Sequence, residues 1–428
     1  MKIRSAAAGT IACAAVALVA PTAMAKGTRD ARPPEPNVAL RPGGWSYFAD
    51  PRALRYAGAD HAAWTTMDGR IQVARLAGKA GTVYTLARGL KPDDHSSPAL
   101  AQLPGGPLAA FWSPHVASGR PDAMYYRVRV RGTWSNRRKV ATNSRGQNGY
   151  AYPNPVRVGR RLMLFWRGGN YQPTYSATRD GRTWSDARTL LTGPQIGTKN
   201  PNHRERPYAK YYASRGIVHM AYNESHPGRR ATSLFYVRLR GSRIVGPDNV
   251  LIGHRPLRWD QGSRIYAGEE GSAWVMDVGA TTEGSPVIVY TRQKKPVRAA
   301  EYRYVTWKDG VWRDRSILTS DRLRRNGNYP GGLSIDHADP RVLYVSRKID
   351  GRFEVEAWAT ADSGETWARE PLTERSATDS IRPTSALGGS TVLWMTGTYA
   401  HYTKFDTRIV MAEARAKAAK RHTRRGRS

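Results

Sequence analysis

The chain has 428 residues, 40% of them apolar and 10% aromatic, which is enough to bury a sizeable core. Lys and Arg number 68 against 34 Asp and Glu, a formal net charge of +34, so anionic polymers are attracted and cationic ones repelled. The single cysteine, Cys13, lies near the N-terminus, which excludes a disulfide framework and leaves no thiolate ligand for zinc in the rest of the chain.

Lys2 and Arg4 precede a small-residue apolar run at 6–19 and an A-x-A site at Ala23-Met24-Ala25. This is the pattern of a secretory signal peptide over residues 1–25, so export is expected. The apolar run is shorter than the ~20 residues a membrane span needs, so no span is expected. Residues 26–43, rich in Pro, Arg and Gly and without periodicity, read as a linker. From 44 to 413 short alternating runs are separated by Gly, Asp, Asn and Pro turns, which predicts an all-β domain. Residues 414–428 read as a disordered basic tail.

Within the domain one hairpin recurs seven times. Clear copies span 97–115, 153–167, 207–226, 272–292 and 331–347, and less regular ones 51–68 and 383–398. Each copy is followed by a short strand with an aromatic or apolar marker: Val73, Tyr126, Tyr175, Tyr236, Tyr304, Trp358 and Val410. A unit of this period cannot bury its own apolar face and must stack on its copies. Seven units of four strands predict a seven-bladed β-propeller. Thr360-Ala361-Asp362-Ser363-Gly364-Glu365-Thr366-Trp367 fits the Asp-box pattern, and residues 178–184 are a degenerate copy. These turns speak to the fold and not to activity.

In an antiparallel hairpin the residue before the first strand lies beside the residue after the second. His95/His115, Tyr152/Arg167, Arg206/His226 and Trp274/Arg292 are therefore expected at one end of a central funnel. Such a pocket suits a uronic acid. Arg167 can neutralise a carboxylate bidentately, and His95 or His115 with Tyr152 can serve as base and acid in β-elimination. Asn170, Tyr208 and Lys210 are expected as further substrate contacts, with Arg206, His226 and Arg292 on the rim. His61, His219, His254 and His337 are read as structural or surface histidines, and Trp112 and Trp166 as core.

Asp93-Asp94-His95-Ser96-Ser97-Pro98, Phe111-Trp112-Ser113-Pro114-His115, Tyr152-Pro153-Asn154-Pro155, Phe165-Trp166-Arg167-Gly168-Gly169-Asn170 and Arg206-Pro207-Tyr208 resemble the corresponding motifs of the BNR-4 repeat family. That family includes ulvan lyases and a rhamnosyl-glucuronate lyase. The resemblance implies a seven-bladed propeller and a catalytic set of two His, a Tyr and an Arg, matched in order by His95, His115, Tyr152 and Arg167. It also implies in some members a zinc site with Cys and His ligands, which the cysteine-free mature chain does not carry over. No cofactor or metal is assigned, and a structural calcium is left open. The expected protein is an exported, monomeric polysaccharide lyase for an anionic, uronate-containing glycan. The alternatives are a non-catalytic carbohydrate-binding or cell-surface propeller and a sialidase-like glycoside hydrolase. No nucleic-acid motif accompanies the charge.

Overall fold

The hairpin that repeats in the sequence is the inner strand pair of a blade. In the computed structural model, residues 38–76, 81–115, 123–140, 149–197, 203–293, 299–323 and 329–413 are described. The expected signal peptide, most of the expected linker and the basic tail lie outside them. Blade 1 begins with Ala53–Tyr56 and Ala59–Thr65, blade 2 with Ala99–Gln102 and Leu108–Trp112, and blade 3 with Ala151–Val158 and Arg161–Arg167. Blade 4 begins with Tyr208–Ser214 and Ile217–Asn223, and blade 5 with Ser272–Ala280 and Pro286–Gln293. Blade 6 begins with Gly332–Ile335 and Val342–Ile349, and blade 7 with Asp379–Ser385 and Thr391–His401.

Every marker residue falls on the third strand, paired to the second. The first strands touch their neighbours all the way round, blade 1 meeting blade 7, so they line a central axis. The protein is an all-β, seven-bladed propeller. Among the described residues the helical pieces are 3-10 turns at Asp94–Ser96 and Gly169–Tyr171, and no helix is long and apolar enough to cross a membrane.

Local sequence explains the tight hairpins. Arg215-Gly216 and Asp350-Gly351 both have two positive φ values in two-residue loops, the twist that matches right-handed strands. Blade 7 takes its fourth strand from the other end of the chain. Val38–Pro42 pairs with Lys404–Glu413 in the registers Val38↔Met411 and Ala39↔Val410. This strand lies inside the stretch that reads as linker. Its pairing joins the two ends of the domain and leaves the ring without an open junction.

The core sits between blades. Trp64, Trp112, Trp166 and Trp394 occupy second strands and are at most 1% exposed. Replacing one by Ala removes a large apolar surface and leaves a cavity, a cost of roughly 3–5 kcal/mol. The turn at 360–367 is held by its own polar groups. Asp362 Oδ1 accepts from the amides of Glu365 and Thr366, Thr360 Oγ1 accepts from the Gly364 amide, and Trp367 stands edge-on to Tyr304 of the preceding blade at 5.2 Å.

Candidate active site

One end of the axis is occupied by a cluster that begins at the turn before blade 2. Asp93 caps this turn, accepting the His95 amide at 3.0 Å. The same carboxylate then holds two imidazoles. Oδ1 accepts from His95 Nδ1 at 3.0 Å and Oδ2 from His115 Nδ1 at 2.8 Å. The His115 amide donates to Ser96 Oγ, which ties the end of the second strand to the same turn. The two rings lie stacked with centroids 4.6 Å apart, and Tyr152 is 5.5 and 6.1 Å from them.

Blade 3 supplies Tyr152 and Arg167. Tyr152 has φ 58° and sits in a register shift between Ala151 and Asn154. A bulge of this kind re-aims a side chain, and here it turns the ring toward the histidines. Tyr150 instead stacks on Trp166 inside an inter-blade cluster, so Tyr152 is the tyrosine at the site. Arg167 is 7% exposed and lies over the Tyr152 ring at 4.6 Å. Its Nη1 donates to Tyr208 Oη at 3.2 Å and its Nη2 reaches His115 Nε2 at 3.3 Å, while its Nε has no hydrogen-bond partner. Among the described residues no carboxylate forms an ion pair with it.

Burial and charge set the protonation states. Burial pulls both imidazoles down. At His95 the carboxylates of Asp94 and Asp93 outweigh it and raise the group above its ordinary value. At His115 burial and the neighbouring His95 charge win, lowering it to about 4. The two carboxylates thus favour the protonated form of His95. At neutral pH His115 is neutral, with its proton on Nδ1 toward Asp93 and a lone pair on Nε2. Burial holds the Tyr152 hydroxyl well above its usual range against the pull of Arg167, so it is protonated.

A second layer was not read from the sequence. Asp94 pairs with Arg382 Nη1 at 2.6 Å and accepts from Tyr399 Oη at 2.7 Å. Both ends of this ion pair are 1% exposed. The guanidinium is sandwiched between Tyr47 at 4.3 Å and Tyr399 at 4.2 Å, and also donates to the Trp45 carbonyl. The signal was present: Tyr152, Arg206 and Arg382 each precede a proline at the start of a hairpin. Arg382 repeats the Tyr152 device, with φ 52° beside a register shift at 381–384.

The expected substrate contacts divide. Tyr208 touches Arg167, and His226 packs on Tyr208 at 5.5 Å and on Trp274 at 5.1 Å. Burial, then Arg167 and Arg206, lower His226 to about 4. Arg206 lies over Tyr171 at 3.9 Å, and the ring of Tyr171 also carries Arg167 at 5.5 Å. Asn170 has φ 53° on the turn beside Tyr171, its carbonyl engaged by Gln172.

Two expectations are corrected. Lys210 is one strand period deeper than Tyr208, about 6.6 Å along the axis. It is 2% exposed and bonded to Asp50 and the Tyr47 carbonyl, which places it as an internal counter-ion instead of the expected substrate contact. Arg292 is drawn outward by acids, pairing with Glu301 at 2.6 Å and with Glu270 at 2.6 Å. The structural histidines behave as expected where buried: His219 bonds Tyr236 Oη at 2.6 Å, and His337 stacks on Tyr212 beside Asp277.

Asp93, His95 and His115 bring three ligand atoms within 4.8 Å of one another. Both Nδ1 atoms lie at hydrogen-bond distance from the Asp93 carboxylate.

The axial mouth of this propeller thus carries an Asp-held histidine pair, a buried tyrosine and a guanidinium that has no carboxylate partner among the described residues. The chain belongs to the BNR repeat-containing family, whose model matches residues 59–320, from blade 1 through blade 5. No curated protein matches the sequence. Among solved structures, a PL25 ulvan lyase bound to -[GlcA(1-4)Rha3S]- has a TM-score of 0.65 at 13% identity, covering 88% of this chain and 95% of that one. The polysaccharide lyase Uly1 has a TM-score of 0.56 at 13% identity, covering 88% of this chain and 91% of that one. At this identity the likeness is one of fold.

Proposed function

We propose that this protein is an exported polysaccharide lyase that cleaves a uronate-containing glycan by β-elimination. The observation that carries this reading is Arg167, a buried guanidinium with no carboxylate partner of its own. A buried unpaired charge costs several kcal/mol, and a substrate carboxylate supplies the missing counter-ion. Pairing with Arg167 withdraws charge from the uronate and makes its C5 proton acidic. As Arg167 Nη2 turns from His115 Nε2 to the substrate carboxylate, the neutral Nε2 takes that proton, and Asp93 stabilises the imidazolium through Nδ1. Electrons from the C5–H bond form the C4=C5 double bond as the C4–O bond breaks. The protonated Tyr152 hydroxyl gives its proton to the departing oxygen. His95, whose protonated form Asp93 and Asp94 favour, adds positive potential beside the enolate that develops. The likeness to ulvan lyases supports this substrate class, and the leader-like residues 1–25 support export.

The test is to incubate the purified protein with ulvan, gum arabic, glycosaminoglycans and pectins and to follow the ultraviolet absorbance of the unsaturated uronate. A rise that disappears in Arg167→Ala is expected. No rise with any of these polymers sinks the reading, and reducing sugar released without an unsaturated product would replace it with hydrolysis.

A further inference from the structure

Blade 2 carries the most one-sided charge among the described residues. Residues 97–115 and 123–140 hold Arg127, Arg129, Arg131, Arg137, Arg138 and Lys139, and no Asp or Glu. None of these six forms an ion pair with a carboxylate among the described residues, whereas Arg292, Arg303, Arg313 and Arg315 of blade 5 are all paired. Like charges are even brought together. Arg137 lies over Tyr125 at 4.7 Å, and it lowers the pKa of Arg127 after burial. Repulsion that nothing nearby relieves is a local conflict, and such conflicts concentrate at functional surfaces.

The cations have aromatic company. Tyr125, Arg127 and Arg129 alternate along the third strand of blade 2, so they share one face. That face meets blade 1, where Arg129 lies over Tyr84 at 5.5 Å and donates to its hydroxyl. Trp134 stands edge-on to Tyr84 at 6.5 Å. Trp134 Nε1 and the Nε atoms of Arg127 and Arg129 have no hydrogen-bond partner. Tyr84, Tyr125 and Trp134 are half-buried where they pack on the core between blades 1 and 2, Arg127 and Arg129 are half-buried beside them and Arg137 is exposed, so the outer edge of this crevice is partly accessible. Its Tyr125 end is the one nearest the site. Tyr125 pairs with Trp112, three residues before His115, and Arg138 and Lys139 pair with Tyr126 and Tyr125. The fourth strand therefore lies about 10 Å outward from the strand that leads into His115.

We propose that the crevice between blades 1 and 2 is a second binding site, for a stretch of the anionic polysaccharide that runs outward from the axial mouth. Tyr125, Tyr84 and Trp134 offer faces to sugar rings, and Arg127, Arg129 and Arg137 offer donors to carboxylate or sulfate groups. The site rests on the lyase reading only for the polymer's identity, since binding is read without turnover.

The test compares the wild type with Arg127→Gln/Arg137→Gln for affinity to ulvan polymer, neutral dextran and double-stranded DNA, and for cleavage of ulvan polymer and of a tetrasaccharide. Arg313→Gln/Arg315→Gln on blade 5 is the matched control. The expected result is a loss of about tenfold or more in ulvan affinity for the blade 2 variant, the cost of one or two charge-assisted contacts. Its KM rises for polymer and is unchanged for the tetrasaccharide, and the blade 5 control matches wild type. Unchanged ulvan affinity, or an equal loss in the blade 5 control, overturns the proposal. DNA binding that exceeds ulvan binding and falls in the same variant overturns it in favour of a nucleic-acid surface. A protein that binds ulvan through this crevice and cleaves nothing keeps the site and ends the lyase reading.

Discussion

Blades 2 and 3 and blades 5 and 6 share a backbone plan and treat their cations in opposite ways. Among the described residues of 97–192, thirteen Lys and Arg face two Asp. In 272–372, eleven Lys and Arg face fourteen Asp and Glu, and the arginines pair in networks such as Glu301–Arg303–Asp314 and Arg347–Glu356. The net charge of the chain is thus not a uniform coat. It is left uncompensated on the side that carries His95, His115, Tyr152 and Arg167, and cancelled across the ring. The same repeat serves as scaffold where its charges close on themselves and as a site where they do not.

The largest effect expected from this contrast is at Arg167. Arg167→Ala should lower kcat by ~10²–10³, the size seen when one preorganised electrostatic donor is removed. Arg167→Lys should restore little, because a point charge does not reproduce the fork that grips a carboxylate. Arg347→Ala, which breaks a paired arginine of blade 6, should leave kcat unchanged. Steady-state rates of unsaturated product for the three variants decide this. Equal losses at Arg167 and Arg347 would mean that the difference in counter-ions carries no functional meaning.

Stability should respond in a different pattern. Arg382→Met leaves Asp94 as a buried carboxylate without its cation, a cost of roughly 3–5 kcal/mol. Lys210→Met should also destabilise, because Asp50 keeps only one of its two buried cations, Arg52, while KM for any substrate stays the same. Urea unfolding with KM measured in parallel separates the two. A raised KM in Lys210→Met would return that residue to the substrate.

Acid should act on the same buried groups. Burial depresses His61, His115 and His226 to about 4 each, and His219 to about 3. A depressed imidazole is neutral in the fold and charged in the unfolded chain between its two values. Its stabilisation is complete above about 6.5, the unfolded value, and is lost as pH falls toward 4. His95 and His337, both raised, run the other way, stabilising at low pH and losing that contribution as pH rises past their folded values. Between pH 6.5 and 4 the two raised groups are charged in both states and only the four depressed ones change, so net destabilisation is expected on acidification, and His219→Phe should flatten that slope. A urea midpoint independent of pH across this window would contradict the assignment.

The fold was legible because its cause is local. Seven hairpins and seven third-strand markers, from Val73 to Val410, need only alternation and turns. The four central site residues were legible for the same reason, since hairpin ends meet by construction. What escaped depended on distance. Arg382 reaches Asp94 across 288 positions of sequence, and only closure of the ring brings blade 7 beside blade 2. Val38–Pro42 is too short and too proline-flanked to look like a strand until Lys404–Glu413 offers its edge. By sequence Lys210 reads as a substrate contact and Arg292 as a rim group. One strand period and two acidic partners, neither visible in a repeat pattern, moved them away.

The smallest effect belongs to the compensated side. Arg341 pairs with Asp339 through two bonds of 2.8 Å, a fork–fork geometry that looks strong. Yet the arginine side chain is 54% exposed and its partner 29%. In high dielectric the Coulomb gain is small and is offset by the entropy of holding a long side chain, so such pairs contribute ~0–1 kcal/mol. Arg341→Gln should therefore shift the urea midpoint only slightly, and less in 0.5 M salt than in dilute buffer as the pair is screened. Glycan binding should not change at all, because Arg341 is already neutralised and faces a blade rich in carboxylates. A loss of ulvan affinity in Arg341→Gln comparable to that of the blade 2 variant would show that total charge, and not its pairing, governs what this propeller binds.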